Sequence, residues 1–275
     1  MPHRLGLSVA AAVALASMAS AEVSRTIDET ISLKVAGTLR IENYGGSIEV
    51  STWDRPEVRV KATIVAQRGL DPEYARKTIE RARIQIREKA HSVRVTSDFD
   101  DVPSTGWFGP SKKVPDIHYE ITGPRDMHLR VEDYKSEIHV QDVAGSVTLE
   151  SYKGEIELEN VGEEVSIESY KGSASGRDVR GIRRLKTYKG EIEISDSSLF
   201  DNSDVDTYKG EITIRIPSDT AFDLDAKIGK RGAIHSDFPI KRRNGKKHIQ
   251  KSYNGGGPRL DIETHKGRIT IRHCR

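Results

Sequence analysis

The residues with the clearest chemical potential in this chain are tyrosine–lysine pairs that recur along it. Tyrosine supplies an aromatic ring and a hydroxyl, and lysine supplies an ammonium group, so each pair can donate hydrogen bonds and attract an anion. The first four tyrosines are 18 residues apart. A fixed period of this size predicts stacked structural repeats that bury their apolar faces against one another. The pairs are Tyr134-Lys135, Tyr152-Lys153, Tyr170-Lys171, Tyr188-Lys189 and Tyr208-Lys209, with His265-Lys266 in the sixth place.

The period divides into two halves of nine residues, and each half has the pattern of one strand and one turn. A glycine begins five of the six halves that start between Gly145 and Gly190, and apolar residues such as Ile156 and Leu158 follow in alternation with polar ones. This alternation predicts a short strand with one buried face. The glycine predicts a turn with positive φ or close backbone approach. We therefore expect an all-β, β-helix-like protein, a β-solenoid or β-roll with coils of about 18 residues.

Two segments depart from the repeat near the N-terminus. Asp71, Pro72 and Glu73 form an N-cap, a proline at the first helical position and an early acid, so one short helix is predicted over 71–82. Residues 98–115 are rich in Gly, Pro and Ser and carry Trp107 and Phe108, which either pin this loop to the body or form an exposed patch. In the repeat region, Arg183 would face inward unless a bulge at Ile182 shifts the register.

The chain outside the leader is expected to be one β-strand-repeat domain. Residues 1–21 have the charged start, the apolar stretch and the small residues of a secretory signal peptide cleaved after Ala21. We therefore predict export to the periplasm or the extracellular space. The expected domain spans 22–275, with N-terminal strands over 37–60, regular repeats over 127–216 and C-terminal coils over 217–275.

The overall composition excludes several classes of protein. The chain has 44 Lys and Arg against 42 Asp and Glu, and this balance argues against a general nucleic-acid binder. Cys274 is the only cysteine, so neither an intrachain disulfide nor an all-thiolate zinc site can form. No segment after the leader is apolar for long enough to cross a bilayer as a helix.

The tyrosine–lysine pairs permit two interpretations. Stacked coils would place the tyrosines about 4.8 Å apart along one edge, with the lysines beside them. In the first interpretation the tyrosines are a packed corner and nearby acids neutralise the lysines. In the second, the residues form an aromatic and cationic strip that binds an extended anionic polymer or a glycan. The acids expected to neutralise the lysines are Glu137, Glu155, Glu157, Glu191 and Glu193.

A second basic cluster surrounds Asn244-Gly245, which is a strong hairpin signal. Its residues are Lys241, Arg242, Arg243, Lys246 and Lys247. Lysines on an edge strand commonly prevent sheet-to-sheet aggregation, which is one interpretation of the cluster. The other is contact with anionic lipid head groups or envelope polysaccharide.

The sequence predicts no catalytic residue, metal site or cofactor. Four aspartates, Asp196, Asp201, Asp204 and Asp206, miss the EF-hand spacing and are better explained as turn residues. The histidines are scattered, and no Gly-x-Ser-x-Gly motif or phosphate-binding loop occurs. Acids recur on every coil, whereas a hydrolase needs a unique pair across a cleft. We therefore expect a protein that is not an enzyme.

Several motifs together resemble a known family. They are Gly46 to Trp53, Ile121-Thr122-Gly123-Pro124, the degenerate Gly-x-Ile-x-Ile turns, and Gly255-Gly256-Gly257 before Thr264 to Ile269. The chain resembles the putative-adhesin β-strand-repeat family of exported bacterial proteins, which contain a domain of unknown function. This resemblance implies a β-solenoid or β-roll at the cell envelope and assigns no catalytic residues.

The expected function is an exported, non-enzymatic, envelope-associated protein that is adhesin-like or structural. The expected partners are anionic envelope polysaccharide, lipid head groups or a protein. The alternative is a β-helical enzyme acting on polysaccharide, or a lectin-like glycan binder. Homotypic assembly is a third hypothesis, because an uncovered terminal strand at Arg268 to Arg272 would offer backbone groups to a second chain.

Overall fold

The computed structural model describes residues 24–104, 113–195, 198–230, 232–240 and 247–274. These residues form twenty strands and one α-helix. In chain order the elements are β1 (Ser24–Ser32), β2 (Thr38–Trp53), β3 (Glu57–Val65), α1 (Pro72–Arg81), β4 (Arg83–Lys89), β5 (Ser92–Asp98), β6 (Asp116–Pro124), β7 (His128–Gln141), β8 (Val147–Lys153), β9 (Ile156–Val161), β10 (Val165–Lys171), β11 (Ala174–Val179), β12 (Ile182–Lys189), β13 (Ile192–Ser195), β14 (Leu199–Lys209), β15 (Ile212–Ile216), β16 (Phe222–Ile228), β17 (Ala233–Ser236), β18 (His248–Tyr253), β19 (Arg259–Lys266) and β20 (Arg268–His273).

The strands form two facing layers, and in the repeat region from β7 to β15 the chain passes from one layer to the other at each corner. The first layer runs β4, β5, the start of β2, the start of β7, β8, β10, β12, β14, β19, β16 and β18. The second runs β1, β3, β6, the end of β2, the end of β7, β9, β11, β13, β15, β20 and β17. The predicted all-β solenoid with one short helix is confirmed.

The core lies between the two layers and consists of the alternating aliphatic residues of the repeat. Val147 pairs with Val165 one coil later, and both are fully buried. On the opposite layer Ile156 and Leu158 are each 1% exposed. Burying one such side chain contributes roughly 1.5–3 kcal/mol, so the stack of coils has a continuous apolar interior. An isolated coil would leave this surface in water.

Of the two arrangements that the sequence left open for Arg183, β12 has the bulge. Val165 pairs with Ile182 but Ser166 pairs with Arg184, so Arg183 is the extra residue. The bulge keeps Ile182 fully buried and turns Arg183 outward, where its side chain is paired with Glu164 at 3.0 Å. The cost of burying an unpaired charge is thereby avoided.

The helix closes the N-terminal end of the solenoid. The Asp71 side chain accepts hydrogen bonds from the N–H groups of Glu73 and Tyr74 at 3.0 and 3.1 Å, as the sequence predicts for an N-cap. The helix buries Ala75 and Ile79 and packs against β1. In chain order it connects β3 of the second layer with β4 of the first layer. Trp107 and Phe108 of the expected loop lie outside the described residues.

The spatial order of the coils departs from the chain order at the C-terminus. Strand β20, from Arg268 to His273, pairs with β15 on one side and with β17 on the other. The expectation of an uncovered terminal strand at Arg268 to Arg272 is therefore wrong. The physical reason is that the last coil is inserted between two earlier ones, so its backbone groups are paired inside the protein.

Glycines follow the lysine at five of the six corners and allow successive coils to touch. A Cβ atom added to Gly190 would lie 1.9 Å from the carbonyl oxygen of Gly172, and one added to Gly172 would lie 1.8 Å from that of Gly154. These backbone contacts cannot move without separating the coils. Glycine at this corner is therefore required by close approach between backbones.

We expect Gly190→Ala to lower the free energy of unfolding by more than about 2 kcal/mol, because the new methyl group clashes with backbone. Chemical denaturation of the two proteins would measure it. The neighbouring Glu191→Ala is the matched control, since Glu191 is exposed and forms no ion pair in the described part of the chain. Equal stability of Gly190→Ala and Glu191→Ala would contradict the close-approach argument.

Candidate functional site

The tyrosine–lysine pairs lie at one corner of every coil, where the chain leaves the first layer. Strand β8 ends at Lys153, Gly154 forms the turn, and β9 begins at Ile156 in the second layer. Lys153 pairs in register with Lys171, and Lys171 with Lys189. Because the ladders are parallel and in register, each residue type of the corner forms its own column along the solenoid.

The aromatic residues of this corner form one continuous stack. Adjacent ring centroids are 4.9–5.0 Å apart and adjacent planes differ by 1–16°. The edge of Phe99 lies against one end of the stack, at 6.3 Å from Tyr44. The stacked residues are Tyr44, Tyr134, Tyr152, Tyr170, Tyr188, Tyr208 and His265. Six of these seven rings belong to the repeated pattern of the sequence, and the seventh is Tyr44.

Stacking covers the faces of the rings and leaves their edges in solvent. Tyr134, Tyr152 and Tyr188 are 43%, 38% and 39% exposed. A sugar that packs its C–H face on an aromatic ring needs that ring face to be accessible. In the interior of the stack both faces touch neighbouring rings, so the accessible groups are ring edges and phenolic hydroxyls.

The lysines form a second column beside the rings. The Nζ atom of Lys171 lies 5.3 Å from the ring centroids of both Tyr152 and Tyr170 and donates a hydrogen bond to the Tyr152 hydroxyl at 3.4 Å. Similar cation–ring distances of 5.1–5.6 Å occur elsewhere along the column. The ammonium groups are thus held against the ring stack by contacts worth roughly 0.5–1 kcal/mol at exposed positions. The column comprises Lys135, Lys153, Lys171, Lys189, Lys209 and Lys266.

The predicted neutralisation of these lysines by glutamates is wrong. Among the described residues, the ion pair of this column is that of Lys135 with Asp116, at 3.1 Å. Glu157 pairs with His139 at 3.4 Å and Glu193 with Arg215 at 2.7 Å. These two glutamates follow the glycine turn and lie in the second layer, where their side chains contact residues of adjacent strands. Glu137, Glu155 and Glu191 form no ion pair within the described chain.

The opposite flank of the ring stack is a groove of about 610 Å³ that carries acids, and three of these acids form ion pairs with arginines. Arg130 contacts both Glu132 and Glu150 at 3.0 Å, and Arg184 contacts Glu168 at 3.0 Å. The two flanks therefore differ: three acids of the groove are paired with arginines, whereas five lysines of the other flank form no ion pair with a carboxylate among the described residues. This asymmetry makes the strip attractive to anions.

Small hydroxyl side chains behind the rings support the corner. Thr187 and Thr207 lie 2.9 Å apart through their Oγ1 atoms, and each donates to the carbonyl oxygen of Gly190 at 3.1 Å. At an earlier coil, Asp133 accepts bonds from the Ser136 N–H and hydroxyl, both at 2.6 Å. Burial raises the pKa of Asp133, and these hydrogen bonds oppose the rise.

Asp206 lines the same groove, and the sequence did not reveal that the pKa of this acid is raised. Partial burial raises the pKa of Asp206, and the charges of Glu263 and Asp204 raise it further, against the opposing charge of Lys186. Asp206 and Glu263 are register partners on adjacent strands. Their closeness depends on the pairing of β14 with β19, which are far apart in sequence.

A buried carboxylate near the C-terminal end was also missed. Asp225 is 5% exposed and accepts hydrogen bonds from His248 at 2.6 Å, Gln250 at 2.9 Å and Arg259 at 2.9 Å. Burial favours a higher pKa, but the bonds from Gln250 and His248 and the charge of Lys227 outweigh it and lower the pKa of Asp225 to about 2. This cluster joins β16, β18 and β19 and has a structural role.

The other candidate residues are not brought together into a site. Lys241, Arg242, Arg243 and Lys246 lie outside the described residues, as do the Asn244-Gly245 hairpin signal and Asp196. Lys247 is exposed before β18. Asp204 pairs with Lys186 at 2.7 Å. Within the described ranges no group of three His, Cys, Asp or Glu residues could hold a metal ion, and no helix is long and apolar enough to span a membrane.

We expect Tyr170→Ala to lower the free energy of unfolding by about 1–3 kcal/mol, because it removes two stacked ring contacts worth roughly 0.5–1.5 kcal/mol each. Tyr170→Phe keeps the ring and is the matched control, with an expected change within about 0.5 kcal/mol. Denaturant titration would measure both changes. If the alanine variant were as stable as the phenylalanine variant, the ring stack would not stabilise the corner.

Comparison with known proteins finds distant similarity to several solved structures. Among curated proteins, none matches this sequence. A solved putative cell adhesion protein from Clostridium sporogenes is similar at 13% identity and a TM-score of 0.40, covering 91% of this chain and all of its own. A putative adhesin from Bacteroides fragilis has 13% identity and a TM-score of 0.46, covering 91% of this chain and 97% of its own. A putative lipid binding protein from Parabacteroides distasonis has 11% identity and a TM-score of 0.29, covering 92% and 97%.

A sequence-family model matches directly. The model of the Toastrack DUF4097 family covers residues 126–272, which is more than half of the chain. This stretch contains β7 to β20 and most of the stacked corner. The resemblance that the motifs suggested is confirmed, and the protein belongs to the Toastrack DUF4097 family.

Proposed function

We propose that this protein is an exported, non-enzymatic binding module of the cell envelope, and that its tyrosine–lysine strip binds an extended anionic polysaccharide. The observation that carries this proposal is a column of five lysines that form no ion pair with any carboxylate in the part of the chain that the structure describes, namely Lys153, Lys171, Lys189, Lys209 and Lys266. The export and envelope setting rests on the leader predicted over residues 1–21.

Electrostatics favours an anionic ligand. Two unit charges about 5 Å apart repel one another by roughly 1 kcal/mol in water, and each interior lysine has a like neighbour on both sides. A polyanion laid along the column would relieve this repulsion and replace the counterions that otherwise gather there. The arginine-matched flank offers no comparable gain, so the ligand should follow the lysine side of the rings.

The ring geometry disfavours a neutral glycan of the lectin type. Lectin-like binding to aromatic residues uses exposed ring faces, and the interior faces here contact neighbouring rings at 4.9–5.0 Å. Ring edges and hydroxyls remain for hydrogen bonding. The tyrosines therefore act as a rigid support for the lysines and as hydrogen-bond donors to the ligand.

The test is co-sedimentation of the mature chain, residues 22–275, with isolated anionic envelope polysaccharide across a salt series. We expect binding that weakens as salt rises, because the contacts are between exposed charges. The triple variant Lys153→Gln, Lys171→Gln and Lys189→Gln should weaken binding by between about 3- and 150-fold, since each exposed ion pair contributes roughly 0.2–1 kcal/mol.

The matched control is Lys34→Gln, Lys77→Gln and Lys89→Gln, which removes the same charge from exposed positions away from the strip. An equal loss in both triple variants would show attraction by net charge alone and overturn the strip as the site. Absence of binding by the parent protein would overturn the proposed function. Binding to anionic vesicles in place of polysaccharide would redirect the ligand to lipid head groups.

One observation favours an enzyme acting on polysaccharide as the second candidate. Asp206 in the groove has a raised pKa and lies beside Glu263, and hydrolysis of glycosides uses two carboxyl groups of unequal pKa. If this candidate is correct, the parent protein should release reducing ends from the polysaccharide and Asp206→Asn should not. Glu193→Gln, an exposed acid of the second layer, is the control. No release by the parent protein would exclude this candidate.

A further inference from the structure

We propose that the ring stack is a site of oxidative modification, at which hydrogen peroxide and a one-electron oxidant join tyrosines of adjacent coils as dityrosine. This inference goes beyond the proposed function and does not depend on a polysaccharide ligand. Three features carry it: the contact between like rings, the exposure of their reactive edges and the separation of the other tyrosines from the stack.

Each tyrosine from Tyr134 to Tyr188 has another phenol in contact with both of its faces. The ring centroid of Tyr152 lies 4.9 Å from that of Tyr134 and 5.0 Å from that of Tyr170, and the planes differ by 2° and 16°. Coupling of two phenoxyl radicals begins from stacked rings, in which the unpaired electrons of facing ring carbons overlap. A radical formed on one ring of the stack therefore has its coupling partner beside it.

The reactive part of each ring faces solvent. In a phenoxyl radical the unpaired electron is shared between the oxygen and ring carbons that include the two Cε atoms beside the hydroxyl. Tyr152 and Tyr170 are 38% and 40% exposed, and stacking leaves their edges and hydroxyls accessible. An oxidant in solution can therefore take an electron from the phenol edge, and the hydroxyl proton passes to water.

The reaction balances with one molecule of peroxide for each link. Two neighbouring phenols each lose one electron and one proton, and the two radicals form a carbon–carbon bond between their Cε atoms. The hydrogen on each bonded carbon then passes, by way of water, to the oxygen of its ring, which restores two phenols. In total the two tyrosines lose two hydrogen atoms and the peroxide is reduced to two water molecules.

The other three of the nine tyrosines lie apart from the stack. Tyr119 is fully buried, and Tyr253 is 5% exposed and packs against phenylalanine rings. Tyr74 donates its hydroxyl to the carbonyl oxygen of Pro103 at 2.8 Å. Within the described ranges none of the three stacks on another tyrosine, so cross-linking inside one molecule should be confined to the stack.

A cross-link would stabilise the solenoid. A bond between Tyr152 and Tyr170 joins residues that are 18 positions apart and lie on successive coils. Closing a loop of this kind removes conformations from the unfolded chain, as a disulfide does. The modified protein should therefore unfold at a higher denaturant concentration than the parent protein.

The experiment is treatment of the dilute mature chain, residues 22–275, with hydrogen peroxide and a haem peroxidase. We expect dityrosine fluorescence in the monomer band of a denaturing gel, and an intact mass lower by two hydrogen atoms for each link. The unfolding midpoint should rise. Proteolytic digestion should give linked peptides from adjacent coils, such as the pair that contains Tyr152 and Tyr170.

Two triple variants separate adjacency from tyrosine content, because each keeps every ring of the stack and three of its phenols. The staggered variant changes alternate positions and leaves no two tyrosines adjacent, so the monomer signal should be lost. The block variant leaves three adjacent tyrosines, so the signal should remain. The staggered variant is Tyr134→Phe, Tyr170→Phe and Tyr208→Phe, and the block variant is Tyr44→Phe, Tyr134→Phe and Tyr152→Phe.

The outcomes are distinct from those of the polysaccharide test. Equal dityrosine in the monomer bands of the two variants would overturn the inference, and so would dityrosine found only in covalent dimers. Absence of dityrosine from the parent protein, under conditions that couple free tyrosine, would overturn it as well. Each of these results leaves the proposed function to the lysine variants.

Discussion

The spacing between hydrogen-bonded parallel strands is the constraint on which the structure depends. Once the coils are in register, every residue type of the repeat recurs at that spacing, whatever its chemistry. Aliphatic residues of the interior become buried columns such as Val147 and Val165. The same translation applied to a tyrosine produces a ring stack, and applied to a lysine it produces a line of charges. The glycine corner makes this possible, since a Cβ at Gly172 would meet the carbonyl of Gly154.

The ring stack supports the lysine column. Stacking covers the faces of the tyrosine rings and leaves their edges and hydroxyls facing solvent. The lysines lie against this ring stack, as Lys171 does between Tyr152 and Tyr170. Ring contacts and solvent offset the mutual repulsion of the lysines, whereas three acids of the groove form ion pairs with Arg130 and Arg184. Two flanks built from the same repeat therefore have different electrostatic characters.

The ends of the solenoid are closed by pairings between distant parts of the chain. Strand β2 lies between β7 and the pair of β5 and β6, and the last coil lies between β15 and β17 in its second layer. Such insertions leave few long strands at the edges, which limits sheet-to-sheet association. They also create the Asp225 cluster and bring Asp206 beside Glu263. Both groups of residues lie where the spatial order of the coils departs from their order along the chain.

The sequence by itself determined the repeat, the alternation between two layers, the short helix and the residues that share the tyrosine–lysine corner. These features depend on local periodicity and on the pairing of equivalent residues of successive coils. It also indicated the bulge that turns Arg183 outward, since a charged residue cannot occupy a buried row without a partner. It did not determine which acids meet which bases. Glu157 and Glu193 are close to the lysines in sequence, yet the glycine turn carries them into the other layer. Only the tertiary structure decided that five of the lysines form no ion pair with a carboxylate within the described ranges, that the last coil lies inside the stack and that Asp206 lies beside Glu263. These arrangements depend on which strands become neighbours, and packing across the whole solenoid decides that.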